Sequence, residues 1–194
     1  MKKYLSIIFL MFTYFLFAQN LAIEYKGPNF NYNLELKDSV AKLQTVKKTH
    51  VPILYFDLKN KKHYFEMDKN VVLGLKSPHL IEISNNHKWE ITTESRDILG
   101  YKCFKATTTI TFSNKLYHIT AWYTPNLPYS VGPTSYANLP GVILKITSSD
   151  FKDNYHAVSI KKKVVKKNIE VPSHSIITYQ KFTEIVKANT GIKL

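Results

Sequence analysis

The chain of 194 residues has a single cysteine, Cys103. No internal disulfide can form, so a packed core has to hold the fold, and the length is ample for one. Cys103 sits between Lys102 and Phe104 in a strand-like run, with no histidine or helix terminus beside it. It reads as a buried strand residue rather than a reactive thiol. Acidic residues are also scarce, 14 against 27 basic ones, and the formal net charge is +13. The few carboxylates offer no paired acid and base. Glu90 and Glu94 share one strand face but lie about 13 Å apart at ~3.3 Å per residue. The seven histidines show neither HxH nor HExxH spacing, and no serine has a GxSxG setting. No metal site, cofactor motif or catalytic constellation is therefore expected. There is no βαβ rhythm, no internal repeat and no low-complexity linker, which leaves one domain over residues 19–194.

Long apolar runs are absent except at the start. Lys2 and Lys3 precede an uncharged stretch from Tyr4 to Ala18, and Gln19 and Asn20 begin polar sequence. Fifteen residues fall short of the ~20 that span a bilayer as a helix. Residues 1–18 thus read as a signal peptide, and the chain as exported to a bacterial periplasm or outer surface. An exported domain without disulfides fits that compartment. Lys161, Lys162, Lys163, Lys166 and Lys167 form the densest charge run. It suits a solvated edge strand, or attraction to an anionic membrane surface. Nucleic acid is not expected as a partner, because no recognition module is visible.

What the chain does have is period-two alternation. Residues 30–36, 51–58, 63–67, 80–83, 89–94, 101–112, 116–124, 142–147 and 155–165 read as strands, separated by turns such as Lys37–Ser39, Lys59–Lys61 and Asp97–Gly100. Val40, Leu43 and Val46 fit strand or helix. Tyr179, Phe182, Ile185 and Val186 lie on one helical face, with Gly191 as a stop. The expected fold is mainly β, with roughly eight to ten short strands. It takes the form of an antiparallel curved sheet or half-barrel with a C-terminal helix packed on it.

The most unusual stretch is Ala121–Leu144. It holds four of the eight prolines, Pro125, Pro128, Pro133 and Pro140, together with Gly132 and Gly141. Such a run specifies one irregular backbone path, with left-handed positions expected among Gly132, Asn138 and Gly141. It is aromatic where an ordinary loop is polar. Trp122, Tyr123, Pro125, Tyr129, Gly132, Pro133, Tyr136, Leu139, Pro140 and Gly141 are the candidate binding residues, lining a pocket or groove unless they only clamp the loop to the sheet.

The order Gly100 to Ala106, Ala121 to Pro125, Leu127-Pro128, Gly132-Pro133 and Asn138 to Leu144 resembles the GLPGLI family of exported bacterial proteins. Asn138 stands in place of the motif's first glycine and Val142 in place of its second leucine, and Lys115 stands where arginine is expected. Asparagine tolerates the left-handed region, so the backbone path can persist. The resemblance implies export and a mostly β fold, and implies no activity. The functional expectation is a non-enzymatic exported domain binding a lipid-like molecule, a hydrophobic peptide or an envelope protein. The alternatives are a peptidase-like hydrolase with a site near the loop, or a purely structural protein.

Overall fold

A computed structural model describes residues 20–47, 51–67, 79–85, 87–112, 115–149, 153–162 and 168–190. The leader at residues 1–18, the stop at Gly191 and Lys163, Lys166 and Lys167 lie outside them. Twelve strands form one sheet among the described residues. They are β1 (Leu21–Lys26), β2 (Tyr32–Lys37), β3 (Val40–Thr45), β4 (Ile53–Asp57), β5 (Lys62–Met67), β6 (His79–Ile83), β7 (Glu90–Ile98), β8 (Tyr101–Phe112), β9 (Lys115–Thr124), β10 (Val142–Ser148), β11 (Tyr155–Lys162) and β12 (Ser175–Thr178). A helix, α1 (Tyr179–Thr190), ends the described chain. The mainly β, antiparallel, open curved sheet with a C-terminal helix is as the sequence predicts.

The order across the sheet is β12-β6-β5-β4-β3-β2-β1-β11-β10-β9-β8-β7. Two meanders, β1 to β6 and β7 to β11, meet where β1 pairs antiparallel with β11. β12 adds to β6 in parallel. Tight turns set the registers. Lys37 faces Val40 and Ile98 faces Tyr101, so each hairpin closes over two residues. Asp38 (φ 54°), Leu99 (φ 50°) and Gly100 (φ 77°) take the left-handed conformations that such turns demand. Val40, Leu43 and Val46 resolve in favour of strand through residue 45, because Val40 to Leu43 pair with β4.

Alternation places Leu21, Ile23 and Tyr25 of β1, Tyr32, Leu34 and Leu36 of β2, and Ala41 and Leu43 of β3 in one buried cluster. Burying each such Leu or Ile contributes about 1.5–3 kcal/mol. The same cluster includes Cys103, Trp122, Leu127, Val131 and Ala137. A second cluster holds Ala106, Ile119, Ala121, Tyr123, Tyr136, Leu139, Ile143 and Ile146. The segment from residue 125 to 141 therefore contributes to both. That explains why four successive residues, Ala121 to Thr124, are all buried at the end of β9 instead of alternating.

At the other end of the sheet, Phe182 of α1 packs on Met67 and Ile81. The Thr178 hydroxyl accepts from the Lys181 backbone N–H at 3.2 Å, capping the helix. Among the described residues no helix is long and apolar enough to cross a membrane.

Candidate functional site

The connection from β9 to β10 is built by local backbone bonds. Tyr129 N–H donates to Leu127 O at 2.8 Å and Val131 N–H to Tyr129 O at 2.9 Å. Val142 and Ile143 then donate to Leu127 O and Val131 O, at 3.0 and 2.9 Å. Distant residues complete the hold. Tyr25 donates its hydroxyl to Ile143 O at 2.8 Å, and Trp89 its indole N–H to Ala137 O at 2.8 Å. Asn85 donates to Ser135 O, Asn138 donates to Asn85 O, and the Asn138 backbone N–H meets Ser130 Oγ at 2.8 Å. Buried carbonyls are thus paired although the path is irregular.

The left-handed positions are Thr134 (φ 54°), Asn138 (φ 70°) and Gly141 (φ 156°). Gly132 is not among them, and its role is close packing. A Cβ there would stand 2.8 Å from Tyr136 O and 2.9 Å from Ile143 Cβ.

The ten candidate residues separate by burial. Trp122, Tyr123, Gly132, Pro133, Tyr136, Leu139 and Gly141 are buried. The Arg96 guanidinium lies over the Trp122 ring at 3.8 Å, and Tyr123 packs beside Phe104. Tyr136 stacks on His87 with centroids 5.3 Å apart and donates its hydroxyl to Asp153 Oδ2 at 3.2 Å. Burial pushes the Asp153 carboxyl above its usual range, against the opposing pull of that hydrogen bond. Burial likewise pushes the Cys103 thiol up to about 11, so it stays protonated at neutral pH. Pro125 is exposed away from the cleft described next, which leaves Tyr129, Leu139 and Pro140 to line it.

That cleft, of about 650 Å³, lies between the loop and two hairpin turns of the other meander. Pro128, Tyr129, Leu139 and Pro140 form its apolar wall. Asp38 and Ser39 from the β2–β3 turn, and Asp57, Lys59 and Lys61 from the β4–β5 turn, supply the polar wall together with Ser130 and Asn138. The turns are braced. Leu58 N–H donates to Ser39 O at 2.9 Å, and the Asp57 carboxylate accepts from the Asn60 backbone N–H at 3.0 Å and side-chain amide at 2.7 Å. His63 closes one end, edge-on to Phe56 at 5.1 Å, and burial holds its pKa below the usual value.

Asp38, Asp57 and His63 were not among the candidates from sequence. Their signal was only that of hairpin turns and a strand. An annex of about 220 Å³ continues the cleft past His63 to Ser84, Asn85 and Asn138. Carboxylates, ammonium groups, hydroxyls and amides facing an apolar wall suit a ligand with both hydroxyl edges and C–H faces. Among the described residues no three or more His, Cys, Asp or Glu side chains are grouped to hold a metal.

Residues 40–186 match the family described as "N-glycanase peptide, N-terminal domain". Two solved structures of PNGF-II, in different space groups, superpose with TM-scores of 0.67 and 0.66 at 17% identity. Each alignment covers 87% of this chain and 33% of the other. The chain thus shares their fold and spans about a third of their length. No curated protein matches it. The match corrects the GLPGLI assignment. The Pro/Gly connection that carried that resemblance fixes a backbone path, and a path held by packing and carbonyl bonds identifies a fold without distinguishing between families that build it. The chain belongs to the N-glycanase N-terminal domain family.

Proposed function

We propose that the chain is a non-catalytic, exported domain that binds the glycan of a glycoprotein in the cleft beside the β9–β10 connection. One observation carries this reading. Tyr129, Pro128 and Pro140 line the same cleft of about 650 Å³ as Asp38, Asp57 and Lys59. A pyranose has an apolar C–H face that rests on an aromatic or proline surface, and hydroxyl edges that carboxylates and amides pair. Family membership supports the ligand class, since the family is named for an N-glycanase. It also turns the hydrolase alternative away from peptide bonds. A sugar replaces the lipid-like or hydrophobic-peptide ligand expected from sequence, because charged and hydroxyl-bearing side chains share the lining with the apolar ones. The membrane-surface role has less support. Lys161 is paired with Glu24 at 3.5 Å, and Lys163, Lys166 and Lys167 lie outside the described residues.

A glycosidase reading has one observation in its favour, the perturbed Asp153 beside the loop. That carboxylate is engaged by Tyr136 and does not line the cleft. Glycoside hydrolysis calls for two carboxylates flanking one bond; of the two in the cleft, Asp38 and Asp57, the second has both oxygens engaged by Asn60. Binding therefore accounts for the geometry better than cleavage.

The test is retention of the purified chain on an immobilised glycoprotein, before and after its N-linked glycans are removed. Retention should be lost with the glycans, and Tyr129→Ala should weaken it by about tenfold while the fold is kept. Equal retention on both surfaces would overturn the proposal.

A further inference from the structure

The sheet ends on an open edge at β7. Among the described residues no strand lies beyond it, and all of its residues but Thr92 and Ile98 are exposed. A long free edge is a template for pairing with another chain. Alternation places its free backbone groups. Ile98 and Tyr101 close a two-residue turn, so they exchange hydrogen bonds with each other. Arg96, opposite Cys103, faces β8 in the same way. Ser95 and Asp97 therefore turn their N–H and C=O groups outward. Between Ile91 and Ser95 the strand bulges from β8. The bulge is tied down locally, since the Thr92 hydroxyl donates to Lys105 O at 3.3 Å and accepts from the Glu94 N–H at 3.2 Å. The Glu94 N–H is thus satisfied within its own chain.

We propose that β7 pairs antiparallel with β7 of a second copy about a two-fold axis through Ser95. Paired residues must lie on the same face of the joined sheet, so the axis has to fall on a residue, and its choice fixes every pair. Centred on Ser95, Glu94 stands opposite Arg96 of the partner subunit and Thr93 opposite Asp97 of the partner subunit, each pair occurring twice. The exposed Ile91 meets the turn that carries the exposed Leu99 of the partner subunit. Centring on Glu94, Arg96 or Asp97 instead sets two like charges on the axis, and centring on Thr93 puts the axis inside the bulge. The Ser95 pair exchanges ladder bonds, while Glu94 and Arg96 occupy the positions between such bonds, where facing side chains come closest. Glu94 meets Lys105 at 2.7 Å with its side chain 58% exposed, which leaves room for a second cation. Arg96 lies over the Trp122 ring at 3.8 Å, and stacking engages its face while leaving its N–H edge for a carboxylate. The other sheet edge, β12, has only Ser175, Ile176, Ile177 and Thr178 to offer. Head-to-tail pairing of β7 with it would give Arg96 no carboxylate. The bulge keeps regular pairing short, so the interface is small and the dimer weak.

Sedimentation velocity of the full chain from about 10 to 500 μM, the range suited to a small interface, tests this. The parent should pass from monomer to dimer and no further, and ~0.5 M salt should weaken association severalfold. Arg96→Glu and Glu94→Arg each set like charges opposite one another across the axis, so each alone should stay monomeric. An equimolar mixture of the two variants restores both ion pairs and should dimerise again. A dimer formed elsewhere on the surface would be indifferent to these changes. Near-ultraviolet circular dichroism checks the fold of each variant, because Glu94 is tied to Lys105 and Arg96 to Trp122. If either variant loses its fold, Ser95→Pro decides, since it removes an outward N–H at the axis and no charge, and it should be monomeric. The proposal is overturned if the parent stays monomeric throughout or associates past the dimer. It is equally overturned if Arg96→Glu or Ser95→Pro dimerises as the parent does, or if the folded variants stay monomeric on mixing.

Discussion

Trp89 donates its indole N–H to the carbonyl oxygen of Ala137 at 2.8 Å, tying the segment before β7 to the middle of the β9–β10 connection. Ala137 is fully buried, so its carbonyl has little access to water if the donor is lost. Trp89→Phe preserves an aromatic ring next to Tyr136 and removes only the donor and part of the ring area. The expected loss is about 1–3 kcal/mol, measured as a lower urea midpoint with the slope unchanged. A change below about 0.5 kcal/mol would mean that the bond does not hold the loop.

Gly141 and Gly100 both have positive φ, 156° and 77°, but their surroundings differ. A Cβ on Gly141 would run into Thr124 O and stand 2.9 Å from Pro125 N, whereas a Cβ on Gly100 meets nothing within 4 Å. Gly100→Ala should therefore cost only the conformational strain, about 1 kcal/mol. Gly141→Ala should cost about 3 kcal/mol or more, because two backbone segments must separate. Thermal melts of the two variants give the ordering directly. A Gly141→Ala protein as stable as Gly100→Ala would contradict the close approach of residue 141 to the end of β9.

The difference between these glycines also marks where the sequence is informative. Proline and glycine spacing announces an ordered connection after Thr124, and alternation announces the strands from Tyr32 onward, because both are local consequences of backbone sterics. β1 carries the same alternation at Leu21, Ile23 and Tyr25, but it follows directly on the apolar leader and is not separable from it by pattern. Yet β1 is the seam between the meanders. β12 is short, largely exposed and parallel, so it shows no alternation at all. The cleft is the least legible feature. Its apolar wall lies in the conspicuous loop, while Asp38 and Asp57 come from ordinary hairpin turns brought opposite by the curvature of the sheet. Thr134 is hidden for a different reason, since its residue type argues against the left-handed conformation it adopts.

His63 and His87 should make the fold sensitive to mild acid. Burial holds both pKa values below the ordinary 6.5, so the unfolded chain takes up protons first as the pH falls. Their contribution is complete above pH 6.5 and is lost as the pH drops from there toward the lower folded values. Replacing His87 with Phe keeps a ring against Tyr136 and removes one titrating group. The variant should lose less stability than the parent between pH 7 and pH 5, followed by urea midpoints at each pH. Equal losses would show that His87 protonation is not coupled to folding.

Asp153 should act with the opposite sign. Burial raises its folded pKa above the ordinary 3.8, and the Tyr136 hydrogen bond only partly offsets this. As the pH falls, the folded chain therefore binds this proton before the unfolded chain does, and the ionised carboxylate weakens the fold at every pH above its folded pKa. Asp153→Asn keeps an oxygen to accept from the Tyr136 hydroxyl and carries no charge. The variant should be as stable as the parent or more so at pH 7. The difference should shrink as the pH is lowered through the raised pKa and vanish below 3.8. The comparison of parent and variant cancels the histidine contributions, which both proteins share. If instead Asp153→Asn is less stable at pH 7 and the deficit closes on acidification, the ionised carboxylate is a net support of the Tyr136 contact, and the environment of Asp153 favours charge rather than burial of a neutral acid.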